Sequence, residues 1–240
     1  MLTAINLTNA QVNIEKLRTE NSSNISLGVN INIGNNNVTT VDAATLVLKK
    51  LSVNNFIILK AKYNKGFKDN KDFVDNYFGH IRLTSMMSKR LGIEVFSQAE
   101  GDDFRALLLR QLNGTGLRLN ISKEKLFNVN LGLGIMSDYE KISIDNKTTS
   151  LFFARYTSYI SIIKSFKDSK NEIILMSYVQ PRLTEFSDIR ITIEFLIRLI
   201  VSDRFKVYLD NSVDFKHDSK PPVGIETNDF TTKSMVTYEW

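Results

Sequence analysis

The stretch Ile25-Ser-Leu-Gly-Val-Asn-Ile-Asn-Ile33 alternates strictly between apolar residues and small or polar ones. Its odd-numbered positions hold isoleucine, leucine or valine, and its even-numbered positions hold serine, glycine or asparagine. Successive side chains of a β-strand point to opposite faces, whereas a helix face would repeat every three or four residues. The stretch therefore predicts a strand with one apolar face and one polar face.

The same alternation returns along the whole chain, with clusters of Gly, Asn, Asp and Ser between the alternating runs. Such clusters are typical of turns. They divide the chain into twelve predicted strands, near 24–34, 38–51, 55–65, 75–89, 91–100, 103–121, 126–138, 150–164, 171–184, 188–201, 204–216 and 228–240. In the sixth strand the alternation changes phase between Arg110 and Leu117, where Gly114 and Gly116 stand, which predicts a β-bulge.

Twelve amphipathic antiparallel strands fit either a soluble β-sandwich or barrel, or a membrane barrel with its apolar face outward. The strands are longer than those of most soluble sheets, their number is even, and their polar faces are heavily charged. The longest predicted connections, 66–74, 139–149 and 217–227, all lie on the outer side if the N-terminus is periplasmic. These features favour an all-β fold, a transmembrane antiparallel up-and-down β-barrel of about twelve strands.

The C-terminus ends in a second alternating pattern. Val236, Tyr238 and Trp240 project to one face of the last predicted strand. A terminal aromatic residue with apolar or aromatic residues at alternate positions resembles the signal read by the outer-membrane assembly machinery. We therefore interpret these three residues as an assembly signal.

The N-terminus looks like the end of a secretory signal peptide. Residues 1–10 are uncharged and mildly apolar and lead to the small residue Ala10, as at a cleavage site. The hypothesis is that residues 1–10 are a signal-peptide remnant and that residues 11–240 form a single barrel domain. The alternative is an ordinary N-terminal segment.

Composition excludes several kinds of chemistry. The 240 residues contain no cysteine, which removes disulfides, thiolate zinc sites, iron–sulfur clusters and cysteine nucleophiles. The two histidines, His80 and His217, are too few for a His-rich metal site. The net charge of +5 is spread over all strands without a basic stripe, so nucleic acid is not an expected partner. We expect no cofactor and no bound metal.

Several segments resemble the salt-induced outer-membrane-protein family of bacteria, whose function is unknown. They lie at residues 11–18, 94–105, 112–118, 178–182 followed by 188–190, and 214–225. The most distinctive is Asp218-Ser-Lys-Pro-Pro222 with Gly224. The resemblance covers nearly the whole chain from residue 11 and implies an outer-membrane β-barrel in a Gram-negative bacterium. It implies no reaction.

The polar faces of the predicted strands would line the lumen of such a barrel. The main lumen candidates are His80, Arg82, Glu94, Arg110, Arg118, Arg155, Arg190, Glu194, Arg198 and Asp210. The same alternation adds Lys60, Lys62, Glu100, Arg182, Lys206 and Asp214, and basic residues outnumber carboxylates in the whole set. We expect Arg190, Glu194 and Arg198 to pair with Lys206, Asp210 and Asp214 on the next strand.

These residues are consistent with two hypotheses about the function. An arginine-rich constriction would make a narrow, porin-like channel that prefers small anionic solutes. A fully paired charge network would instead fill and rigidify a non-conducting barrel, a structural or accessory subunit that binds partners through its outer loops. The charged residues Asp102, Asp103, Asp138, Glu140 and Asp145 are interpreted as solvated loop residues.

Enzyme activity is not expected. His80 would need a serine within hydrogen-bonding reach, and Ser85, Ser88 and Ser97 lack a nucleophile motif. His217-Asp-Ser219 places triad residue types side by side, where their side chains diverge. The expected partners are outer-membrane lipids and lipopolysaccharide, the assembly machinery during insertion, and other envelope proteins, and the expected location is the bacterial outer membrane.

Overall fold

The computed structural model describes residues 21–32, 38–68, 71–102, 105–124, 126–144, 147–167, 169, 171–222 and 224–240. These residues form twelve β-strands. The strands are β1 (Ser22–Asn32), β2 (Val38–Lys50), β3 (Asn55–Lys68), β4 (Lys71–Met86), β5 (Leu91–Asp102), β6 (Leu107–Lys123), β7 (Phe127–Ile144), β8 (Lys147–Ser165), β9 (Glu172–Arg182), β10 (Glu185–Ser202), β11 (Val207–Asp218) and β12 (Asn228–Glu239).

The strands close into one antiparallel barrel. Each strand pairs with its neighbours in sequence, and β12 returns to pair with β1. Closure leaves no free sheet edge, which is the condition for strands to stand in lipid. The up-and-down barrel predicted from the alternation is confirmed, and in the described part of the chain no helix is long and apolar enough to cross a bilayer.

Two of the three predicted long connections are wrong. β3 runs on to Lys68 and β4 begins at Lys71, while β7 runs to Ile144 and β8 begins at Lys147. The charged residues in these segments suggested loops, but their backbone groups continue the antiparallel ladder. Of the three predicted connections, the one between Asp218 and Asn228 is long.

The predicted bulge at Gly114 and Gly116 is also wrong. The β5–β6 register is unbroken from Arg110 to Leu119. The β6–β7 register shifts outside this region, between Leu107 and Leu109 and between Asn120 and Ser122. The two glycines instead allow close contacts, because an added Cβ would lie 2.4 Å from the Phe96 ring at Gly114 and 2.6 Å from the Leu133 carbonyl oxygen at Gly116.

The two faces of the barrel differ in chemistry. Outward-facing side chains form an exposed apolar surface. Examples from different strands are Leu27, Leu59, Ile81, Val95, Leu117, Leu133, Phe195 and Val236. The inward-facing positions hold the charged residues together with a few buried apolar ones, so the polarity is reversed relative to a soluble barrel.

The barrel closes through a short seam. β1 and β12 pair over four positions, from Asn24 opposite Glu239 to Leu27 opposite Val236. Backbone bonds between Ser23 and Trp240 extend the seam at the same end. Both described ends of the chain therefore lie at one end of the barrel, which we call the terminal end. The proposed signal remnant, residues 1–10, lies outside the described residues.

Candidate functional site: the barrel interior

The structure places all ten main lumen candidates on the inner face of the barrel. Eight of them are buried, and Arg190 and Arg198 are half-buried. Lys206 is an exception among the additional residues, because it lies in the turn before β11 with a positive φ of 49° and is exposed. Its predicted position on the inner face is therefore wrong.

The expected pairing between β10 and β11 holds at one position. Arg198 donates two hydrogen bonds to the Asp210 carboxylate, at 2.8 and 2.7 Å. The register places Asp218 opposite Arg190 and Asp214 opposite Glu194. Two carboxylates therefore face each other directly, an arrangement that the sequence order of the charges did not reveal.

A compact group of side chains crosses the lumen near its centre. We call it the central layer; its members are Arg82 from β4, Glu94 from β5, Arg118 from β6, Tyr159 from β8 and Tyr178 from β9. Glu94 accepts a hydrogen bond from the Tyr159 hydroxyl at 2.8 Å and forms ion pairs with Arg82 at 3.4 Å and Arg118 at 3.3 Å.

The central layer reaches from one wall to the opposite one. Arg82 donates a hydrogen bond to the Tyr178 hydroxyl at 3.5 Å, and β4 and β9 are five strands apart in a ring of twelve. Arg82 also lies 5.4 Å from the Tyr159 ring centre, a cation–π distance. The width of a barrel grows with strand number, so only long side chains such as these can meet across its lumen.

Glycines on β6 and β7 make room for the rings of this region. A Cβ atom at Gly132 would lie 1.9 Å from the Tyr159 ring, and one at Gly114 would lie 2.4 Å from the Phe96 ring. Gly132 stands directly opposite Tyr159 in the β7–β8 register. Gly114 and Gly132 therefore leave the space that the Phe96 and Tyr159 rings occupy, while Gly116 lies close to the backbone of β7.

A second cluster lies between the central layer and the end opposite the termini. Its centre is Asp138 on β7, which is fully buried and pairs with three arginines. The distances are 3.0 Å to Arg110, 2.8 Å to Arg155 and 2.7 Å to Arg190. Because these arginines lie on β6, β8 and β10, one carboxylate joins four strands.

The Asp138 cluster was missed by sequence reasoning. Asp138 and Glu140 were interpreted as loop residues, as was Asp102, but all three are buried at inner positions of strands. A signal existed for two of them, since Asp138 and Glu140 continue the inner-face parity of Asn130, Gly132 and Gly134. The many charged residues of this segment were interpreted as a loop instead, so this strand parity was not recognised. Asp103 and Asp145 lie outside the described residues.

A cavity lies between β2–β3 and β10–β11. It measures about 100 Å³ and extends toward the terminal end, where Ser22 and Glu172 line it. Its charged lining residues are Asp42, Lys60, Lys62, Glu172, Glu194, Arg198, Asp210, Asp214 and Lys233. Its apolar wall is formed mainly by Leu46, Leu48, Ile58, Ile174 and Leu196. We call it the β3–β10 cavity.

The histidines lack the surroundings of a catalytic base. His80 lies between the rings of Phe78 and Phe96 and contacts the Gln98 side-chain oxygen at 3.2 Å. Ser85 and Ser97 lie on β4 and β5 at positions that face outward, opposite in parity to His80 and Glu94.

The residues of the sequence His217-Asp-Ser219 have separate partners. Asp218 pairs with Arg190 at 2.8 Å, while the Ser219 hydroxyl donates to the Ser187 carbonyl oxygen at 2.9 Å. The His217 ring contacts Asn228. The three side chains therefore do not form a triad.

The interior is richer in acid than the sequence suggested. Among the described residues, fourteen carboxylates but six lysines and arginines are buried. Half-buried cations such as Arg190 and Lys233 also reach the interior. When they are included, the carboxylates of the interior still outnumber the cations. The difference arises because carboxylates such as Asp138, Asp188 and Asp218 were not counted on the inner face.

A closed antiparallel barrel of twelve strands, apolar outside and charged inside, defines the class of outer-membrane β-barrels. The family model described as "Protein of unknown function, DUF481" matches residues 25–240, and the chain belongs to this family. A family of unknown function was expected, and this is confirmed. The salt-induced character implied by the resemblance stays a prediction. No curated protein sequence matches the chain.

Solved structures with a similar fold are outer-membrane barrels. The NanC porin has a TM-score of 0.50 and 6% identity, and the match covers 91% of this chain and 97% of that one. The translocator domain of autotransporter NalP from Neisseria meningitidis has a TM-score of 0.47 and 8% identity, with coverages of 92% and 86%. At 6% identity the likeness to the NanC porin shows a shared fold alone.

Proposed function

We propose that the protein is a narrow channel of the bacterial outer membrane whose lumen is closed at rest by the central layer. The observation that carries this proposal is the contact between Arg82 and Tyr178, two side chains from opposite walls. Glu94, Arg118 and Tyr159 fill the space beside them and are buried. A solute passes only when this layer rearranges.

Two cavities inside the barrel support a channel over a solid barrel. The β3–β10 cavity extends toward the terminal end, which we place in the periplasm. A smaller cavity of about 30 Å³ lies toward the other end, lined by Arg105, Arg110 and Lys216 among others. The excess of buried carboxylates gives no support to a preference for anions.

Conductance of the purified protein in a planar bilayer tests this proposal. We expect rare openings or none from the unmodified protein. The double variant Tyr159→Ala/Tyr178→Ala removes two rings from the layer but keeps Arg82, Glu94 and Arg118 paired, and should give stepwise currents. The matched control Tyr77→Ala/Tyr156→Ala removes two exposed, outward-facing rings and should stay silent.

Two outcomes would contradict the proposal. Continuous conductance of the unmodified protein would mean that the central layer is no barrier. Silence of the double variant, with insertion shown by protease protection, would mean that the barrel does not conduct. The second outcome would favour the other hypothesis, an accessory subunit that binds envelope partners through its outer loops.

A further inference from the structure

Among the described residues, Glu194 is the one carboxylate with both oxygens buried and without a hydrogen bond. Its side chain is 1% exposed and lines the β3–β10 cavity. Neither of its carboxylate oxygens accepts a hydrogen bond. A buried carboxylate without hydrogen bonds is costly, because it has lost its water and gained no donor.

A second carboxylate doubles this demand for donors. Asp214 stands directly opposite Glu194 in the β10–β11 register. Its Oδ1 atom also accepts no hydrogen bond, and the residue lines the same cavity. Two like charges in adjacent strands destabilise each other unless a cation lies between them. The β10–β11 wall is therefore an acceptor site for an ammonium group.

The facing wall carries the opposite charge. Lys60 and Lys62 lie on the inner face of β3 and line the cavity. Along with Lys233 they are the positive charges that act on Glu194. Lys233 is already bound to Asp42 at 2.5 Å. The cavity thus has a wall rich in carboxylates at β10–β11 and a positive wall at β3.

Aliphatic side chains form part of the remaining surface of the cavity. Leu46, Leu48 and Ile58 line it from β2 and β3, and Ile174 and Leu196 line it from β9 and β10. An apolar cavity of about 150 Å³ is large enough to bind benzene, so a volume of about 100 Å³ suits a molecule of roughly four to six heavy atoms.

We propose that the β3–β10 cavity binds a small zwitterion with a short aliphatic side chain, of the α-amino-acid class. Its ammonium group donates to Glu194 and Asp214, its carboxylate accepts from Lys60 and Lys62, and its side chain packs on the leucines and isoleucines. A zwitterion adds no net charge and places a charge against each wall, whereas a simple cation or anion leaves one wall uncompensated. Binding does not require the central layer to open, so the site goes beyond the proposed channel.

Equilibrium dialysis of the refolded protein in detergent with radiolabelled L-alanine tests the site. A ligand of this size should bind with a Kd on the order of 1 mM. Ethylamine lacks the carboxylate and propionate lacks the ammonium group, so both should compete at least about tenfold more weakly than alanine. Because conduction plays no part, this measurement is independent of the bilayer experiment.

Two variants locate the binding to this cavity. Glu194→Gln removes the charge that the ammonium group needs and should weaken alanine binding about tenfold or more. Ala44→Leu fills the cavity from the inner face of β2 and should abolish binding. This second variant keeps the site testable if Glu194→Gln does not fold. The matched control Ala61→Leu adds the same side chain on the exposed outer face of β3 and should bind alanine normally.

Three results would overturn the proposal. The first is no saturable binding of alanine to the unmodified protein. The second is equal competition by ethylamine or propionate, which would mean that one charged wall plays no part. The third is unchanged binding by the folded Ala44→Leu variant, which would place any alanine elsewhere.

Discussion

Gly132 and Tyr159 show how single residues decide the shape of the interior. Tyr159 belongs to the central layer, where its hydroxyl donates to Glu94 at 2.8 Å and accepts from Arg118 at 3.3 Å. Its ring can reach this position because Gly132, directly across the β7–β8 ladder, has no side chain. The hydroxyl geometry of the layer therefore depends on a glycine that stands directly opposite Arg118 on the neighbouring strand.

Gly132→Ala should displace the Tyr159 ring, since the new methyl group would overlap it at 1.9 Å. Overpacking of this kind typically destabilises a protein by about 1–3 kcal/mol. The measurement is urea unfolding from lipid vesicles, followed by the shift of the folded band on electrophoresis. In Gly79→Ala the new Cβ has no neighbour within 4 Å, so its stability should change by less than about 0.5 kcal/mol. Equal effects of the two variants would contradict the packing described here.

At the scale of one element, β10 shows how a strand divides its residues between lipid and lumen. Arg190, Glu194 and Arg198 lie on its inner face and contact or line the interior. Ile193 and Phe195 alternate with them and face outward. The alternation alone predicted this division, because a strand offers only two faces.

Ile193→Arg should place a charge in lipid, since Ile193 lies midway along β10. Charged residues on the lipid face cost about 2–4 kcal/mol near the midplane but only about 0–1 kcal/mol near the interface. Val201→Arg is the matched control, because Val201 shares the outer face but lies one residue from the strand end. Unfolding free energies in vesicles would give the difference. An equal loss in both variants would contradict the proposed position of the membrane.

At the scale of the whole molecule, the strength of the barrel varies around its circumference. β7 and β8 pair over eighteen positions, whereas β1 and β12 pair over four. Asp138 further ties β6, β7, β8 and β10 together through three arginines. Near the seam, Ser26 bonds Thr237 at 2.7 Å, and Lys233 on β12 pairs with Asp42 on β2. The barrel should therefore open first at the seam.

Hydrogen–deuterium exchange of the protein in detergent micelles can measure this difference. Amides of β1 and β12 should exchange at least about tenfold faster than those of β7 and β8, because fewer bonds must break for local opening. Uniform protection around the barrel would contradict the prediction. Val236, Tyr238 and Trp240, the predicted assembly signal, face outward at this seam and are about half exposed, where another protein can reach them during insertion.

The alternation of the sequence by itself determined the twelve strands, their order and the face on which Arg118, Glu194 or Leu133 would lie. These properties are local, because side-chain parity and turn residues depend only on neighbours in the chain. Where local signals conflicted, prediction failed. The charges around Asp138 suggested a loop, and the glycines at 114 and 116 suggested a bulge.

Only the tertiary structure decided which inner residues meet. Arg82 binds Tyr178, ninety-six positions away in sequence, and Glu194 faces Asp214 although the charge order suggested other pairs. Such contacts depend on the register between strands and on the curvature that brings opposite walls together. No short stretch of sequence encodes either property, so the closed central layer and the β3–β10 cavity appear only when the barrel closes.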